Sequence, residues 1–130
     1  MPLSNAILEL AALFRTVARD ELLPRHGRLR SDQMHSHSDG SLFTEADLAA
    51  EARLIDGARL IYPCAILSGE ELISENPGDF LRIPRHNTVL IFDPIDGTGA
   101  FQRGEDTYGM MAAIVHHGVT KGALVSRPAR

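Results

Sequence analysis

Six consecutive residues, Asp93-Pro94-Ile95-Asp96-Gly97-Thr98, close an apolar run that begins at Val89. A core has no use for two carboxylates three positions apart, because burying an unpaired charge is costly. They point to a ligand. Proline in the second place of Asp93-Pro94-Ile95-Asp96 predicts a four-residue chain reversal that brings both carboxylates to one side, with the Ile95 carbonyl between them. Three oxygens at close quarters suit a hard cation, Mg²⁺ or Mn²⁺ in its place. One carboxylate bridging two ions about 4 Å apart would form a clamp for in-line attack at phosphorus. Gly97 lets a backbone approach a ligand closely, and Thr98 offers a hydroxyl and an N–H. A short helix starting there would turn its first N–H groups toward phosphate oxygens. The plain structural alternative is a strand ending in an Asp-capped turn; the whole string after an apolar strand favours a site.

Other carboxylates lie in strand-end or cap positions. Gly69-Glu70-Glu71 follows a second apolar run, which puts an acidic group at a neighbouring strand end or, more plainly, a solvated Glu pair in a loop. Asp47 reads as the acidic half of a helix cap begun by Thr44. Together, Asp47, Glu70, Asp93 and Asp96 are four carboxylates from three segments, which would repel one another unless cations held them. A phosphatase of the haloacid-dehalogenase type would need Asp-x-Asp-Gly-Thr. The extra residue here breaks the alternation that points both side chains the same way. His35 and His37 alternate with serines and could ligate Zn²⁺, but with no Cys or nearby acid to complete a set they read as a polar surface loop. Cys64 reads as a small buried residue.

Several elements must position these groups. Ile7, Leu8, Leu10, Ala11, Phe14, Val17, Ala18 and Leu22 recur at three and four, which predicts an amphipathic core helix over residues 4–23, stopped by Pro24. Residues 25–41 predict a loop or weak strand. A second helix starts at Thr44 and closes at Tyr62-Pro63, with Gly57 weakening its last part. Strands are expected at 65–68 and 88–92, and a turn at the Asn-Pro-Gly-Asp of 76–79. A hairpin is expected over 109–116 and 119–126, turning at His117-Gly118 and marked by His116. Two helices followed by mostly hairpin-connected strands predict an α+β fold, the helices on one face of a mainly antiparallel sheet.

The totals bound the partners. With 130 residues, the chain is one domain's worth, and residues 1–130 read as a single domain. A net charge of −4 argues against a nucleic-acid surface as its main business. No apolar stretch is long enough for a membrane helix, and no secretory leader is expected. One cysteine excludes an internal disulfide and fits a reducing cytoplasm.

Three strings taken in order, DGSLFTEADLAAE (39–51), GEE (69–71) and DPIDGT (93–98) with Phe101 three residues after Thr98, resemble the inositol monophosphatase family. The resemblance runs from the first helix to the end of the chain. It implies a layered α/β architecture and Mg²⁺-dependent, commonly lithium-sensitive hydrolysis of phosphate monoesters. Position by position, it implies that Glu70 ligates the first metal and helps hold the attacking water. Asp93 would bridge two metals, the Ile95 carbonyl would bind the first and Asp96 the second. Gly97 and Thr98 would contact phosphate, Thr98 with Asp47 would orient and activate the water, and Glu71 would support the site from beside it. Gly99-Ala100 stands where many relatives have Thr-Asn, and His37 where the family often has lysine. Relatives carry a C-terminal half with a Trp-Asp-x-Ala-type motif that completes the second metal site; this sequence has no tryptophan. The expectation is therefore an N-terminal half with little turnover by itself, acting on an inositol or sugar phosphate. Histidinol phosphate or a 3′-phosphonucleotide are the alternatives within the family. From a different class comes a non-catalytic metal-binding or dimerising module. An uncovered strand region at 109–126 predicts a homo-oligomer, and for the non-catalytic module a stable one without hydrolysis.

Overall fold

The computed structural model describes residues 2–75, 78 and 87–128. Helix α1, Leu3–Val17, buries Leu10, Phe14 and Val17 of the expected stripe together with Ala6, while Leu8 stays exposed. The helix does not simply run on to Pro24. It widens into a π turn, Ala18–Leu22, and tightens into a 3-10 turn, Leu23–Arg25. A π turn spaces its contacts by five residues, and Leu22 stays in the same core as Val17. Asp20 stays outside and Glu21 is half-buried, and Arg53 Nη1 meets them at 2.8 and 3.4 Å.

A small antiparallel hairpin follows, β1 (Met34–Ser36) with β2 (Leu42–Thr44), and leads directly into α2, Glu45–Ile61. Thr44 caps α2: its hydroxyl accepts from the N–H groups of Ala46 and Asp47, and the Asp47 carboxylate accepts from the Thr44 N–H. The cap and the stop at Tyr62 agree with the sequence. Gly57, expected only to weaken the helix, has a packing role instead. A Cβ there would come within 2.5 Å of Leu13 Cδ1, so the glycine lets α1 and α2 approach closely.

Four strands form the sheet in the order β3 (Ile66–Gly69), β4 (Thr88–Asp96), β5 (Gly109–His116), β6 (Val119–Ser126). β3 and β4 are parallel; the other two pairings are antiparallel, with the β5–β6 hairpin turning at His117-Gly118 as expected. The α+β class and the mainly antiparallel sheet hold. One face of the sheet, through Leu90, Phe92, Met110, Ala112 and Ile114, joins Leu10, Phe14 and Leu54 in a single core. The other face leaves Met111 38% and Val125 65% exposed.

Two expectations fail locally. The four-residue reversal at Asp93-Pro94-Ile95-Asp96 is instead a bulge within β4: Asp93 pairs with Met111 and Asp96 with Gly109, so two residues, Pro94 and Ile95, stand opposite one, Met110. Proline cannot donate to the ladder, and an extra residue absorbs the gap. Cys64 is exposed rather than buried, because it lies in the turn after α2. The turn expected at 76–79 falls outside the described residues except for Gly78. Among the described residues, no helix is long and apolar enough to cross a membrane.

Candidate active site

Parallel pairing builds the site. Gly69 at the end of β3 lies in register with Phe92, so Glu70, which follows β3, comes beside Asp93 within β4. Glu70 opens a short helix, α3 (Glu70–Glu75). Across the edge, α2 starts and contributes Asp47. Beyond the bulge, Gly97 takes a left-handed conformation, φ 90°, and caps α4 (Thr98–Gln102). A Cβ on Gly97 would sit 2.9 Å from the Thr107 carbonyl oxygen, so both conformation and space require glycine.

The groups converge on Asp47 and Asp93. Thr98 Oγ1 lies 3.3 Å from Asp47 Oδ1 and 3.3 Å from the Ile95 carbonyl oxygen, and its single proton serves one or the other. The other oxygen of Asp47, Oδ2, holds the Thr44 N–H and hydroxyl, each at 2.7 Å. Asp47 is therefore both a helix-cap residue and a partner of Thr98. Burial pushes the Asp47 carboxyl up to about 6, against the hydrogen bonds from Thr44 and Thr98, with the Glu70 charge adding to the rise. Asp93 is pushed further, to about 8, by burial, by a hydrogen bond shared with Glu70, and by the charges of Glu70, Asp96 and Asp47. Its Oδ1 is buried and has no hydrogen-bond partner. Asp96 is exposed.

Glu70 and Glu71 do different work, since successive helix residues do not face the same way. Glu71 is 3% exposed and meets His37 Nε2 at 2.8 Å, while the His37 ring stacks on Phe43 at 4.2 Å. His35 Nε2 meets Glu45 Oε1 at 2.9 Å. Both histidines thus have acidic partners that the sequence did not reveal, and each partner is a different carboxylate. A further carboxylate missed in the sequence, Glu51, accepts the N–H groups of Glu71 and Leu72. The signal was present: Asp47 and Glu51, four apart, interrupt the otherwise apolar buried face of α2.

This donor set is all oxygen, and Asp93, under repulsion from its neighbours, has an orphaned acceptor, which fits a hard divalent cation. Among the described residues, no three Asp, Glu, His or Cys side chains are grouped closely enough to hold a metal ion. A cleft of about 430 Å³ opens beside Glu70 and Asp93 and runs over Ile73, Met111, Ala113 and Val125.

Residues 2–130 match the family model described as the inositol monophosphatase family, and the chain belongs to that family. A histidinol-phosphatase of Chlorobaculum parvum is 34% identical over 122 residues, which are 94% of this chain and 44% of that protein. A putative Nus factor SuhB of Neisseria meningitidis is 26% identical over 126 residues, 97% of this chain and 46% of the relative. Among solved structures, an IMPase of Thermotoga maritima superposes with a TM-score of 0.78 at 26% identity, covering 98% of this chain and 45% of that one. The chain thus spans less than half the length of these relatives. The family acts on small phosphate monoesters and is generally metal-dependent.

Proposed function

We propose that this chain carries the metal-binding and phosphate-binding half of a Mg²⁺-dependent phosphomonoesterase site. The buried, partnerless Oδ1 of Asp93, inside a group of mutually repelling carboxylates, carries the reading. Glu70, Asp93, the Ile95 carbonyl and Asp96 would hold Mg²⁺, or Mn²⁺ in its place. The ion supplies positive charge to the phosphate oxygens and to the departing alkoxide. Gly97 and Thr98 would present backbone N–H groups to the phosphate. The Thr98 hydroxyl, within reach of Asp47, orients the attacking water; as it accepts the water's proton it passes its own to Asp47 Oδ1. A carboxyl near 6 is suited to that exchange close to neutral pH. Glu71, tied to His37, supports the corner from beside it.

The substrate class is a small phosphate monoester, an inositol or sugar phosphate; the similarity to a histidinol-phosphatase keeps histidinol phosphate beside it, and a 3′-phosphonucleotide stands as a further alternative. The single exposed Cys64 suits a reducing cytoplasm. Hydrolysis by this chain alone is expected to be weak, because it spans 44% of that relative. Calorimetric titration of the chain with Mg²⁺, using Asp93→Asn as control, tests the site: equal heats from both proteins would remove it.

A second reading has its own observation. The exposed Met111 and Val125 on the open sheet face, with β6 as the edge strand, favour a homo-oligomer that binds metal without turnover. Light scattering together with a phosphate-release assay separates the two readings.

A further inference from the structure

The first turn of α3 is held by a carboxylate from a different helix. Glu51 Oε1 accepts the Glu71 N–H at 2.9 Å, and Glu51 Oε2 accepts the Leu72 N–H at 3.0 Å. Glu51 is 6% exposed and lies one helical turn after Asp47 on the buried side of α2. Gly69 makes room for it. A Cβ on Gly69 would overlap the Glu51 carboxylate, and Gly69 is not among the positive-φ glycines, so its backbone conformation does not account for it. A six-residue helix needs only a local Ser or Asp to satisfy its first N–H groups. A buried carboxylate reaching from α2 instead links the element bearing Asp47 to the one bearing Glu70.

We propose that Glu51 is a positioning residue for the acidic corner: by gripping the N–H groups of Glu71 and Leu72, it fixes where Glu70 leaves the strand end relative to Asp93. This rests on the reading of Glu70 and Asp93 as metal ligands. The α2 helix then places two groups, Asp47 directly and Glu70 through Glu51. Residues four apart rise about 6 Å along a helix, so both attachments belong to one stiff segment. Glutamine in place of Glu51 keeps the size but has one carbonyl oxygen for two donors.

The test is titration of the whole chain with Mn²⁺ alone, followed by electron paramagnetic resonance, alongside thermal unfolding. Glu51→Gln is expected to weaken Mn²⁺ binding by about ten- to a hundredfold, the usual consequence of losing a group that orients a ligand. Leu54→Ala, on the same buried face of α2, lowers the melting temperature but leaves Mn²⁺ affinity within about twofold. Gly69→Ala is a second variant that displaces the same carboxylate. It reproduces the loss, and the double variant falls short of the sum because both act on one contact. If Asp93→Asn abolishes binding while Glu51→Gln and Gly69→Ala bind like the unaltered chain, the positioning role is overturned and the metal site stands. If the unaltered chain binds no Mn²⁺, the metal reading fails and takes this role with it.

Discussion

Two rows of residues run along the buried side of α2, and they differ in kind. Ala46, Ala50, Leu54 and Ala58 recur every four residues, are all 0% exposed, and meet the core through hydrocarbon alone. One position over, Asp47 and Glu51 are almost as buried but end in carboxylates that reach Thr44, Thr98 and the first turn of α3. The apolar row can be satisfied by any well-filled neighbour. The acidic row is satisfied only by particular donors at particular places. Burial in the first row contributes stability; burial in the second costs stability and secures geometry.

The largest effect that would sharpen this contrast is expected from Asp93→Asn. Removing one charge from the crowded corner should lower divalent-ion affinity by on the order of a hundredfold or more, beyond what an outer partner costs. The same variant should melt no lower than the unaltered chain without metal at pH 8, because the repulsion is relieved. Titration and melting on one sample check both. Next, Leu54→Ala in the apolar row should cost about 3 kcal/mol of folding stability, the middle of the range for a buried leucine. Urea unfolding reads that loss, and an unchanged ion affinity would keep the two rows distinct.

The pH dependence follows. Asp47 and Asp93 have folded-state values of about 6 and about 8, above the ordinary 3.8. The folded chain therefore holds more protons than the unfolded one between 3.8 and those values, and stability falls as pH rises through that window. The contribution is absent below 3.8 and fully adverse above about 8. Without metal, the melting temperature should drop between pH 5 and pH 8, and Mg²⁺ should raise it far more at pH 8 than at pH 5. Equal Mg²⁺ effects at both would break the contrast. The smallest effect is expected from Gly57→Ala. Crowding against Leu13 costs about 1–3 kcal/mol while better helix propensity returns about 1 kcal/mol, leaving a net loss of about 1 kcal/mol by urea unfolding, with ion binding untouched.

Apart from Leu54, the apolar row was not read from the chain; what could be read depends on a local signal. The stripe of α1, the Thr44 cap and the turn at His117-Gly118 each follow from a few neighbouring residues. The same string that marks the acidic corner was legible as chemistry, but its shape was not. Proline suggested a turn, whereas pairing with β5 over Asp93 and Asp96 keeps the strand going through a bulge. Partners far apart in sequence were harder still. His37 with Glu71 is 34 residues apart, and Glu51 with Glu71 is 20; neither pairing leaves a periodic trace. The π turn at Ala18–Leu22 follows from where Leu22 must fit, a demand set by the rest of the core.

The parallel run of β3 beside β4 has a consequence for how far the corner can drift. Hydrogen-bonded strands sit about 4.8 Å apart whatever joins them, so the sheet serves as a ruler for the gap between the stems of Glu70 and Asp93. That gauge is set as far as Gly69 and Phe92, and the Glu51 carboxylate on the first turn of α3 carries it on to Glu70.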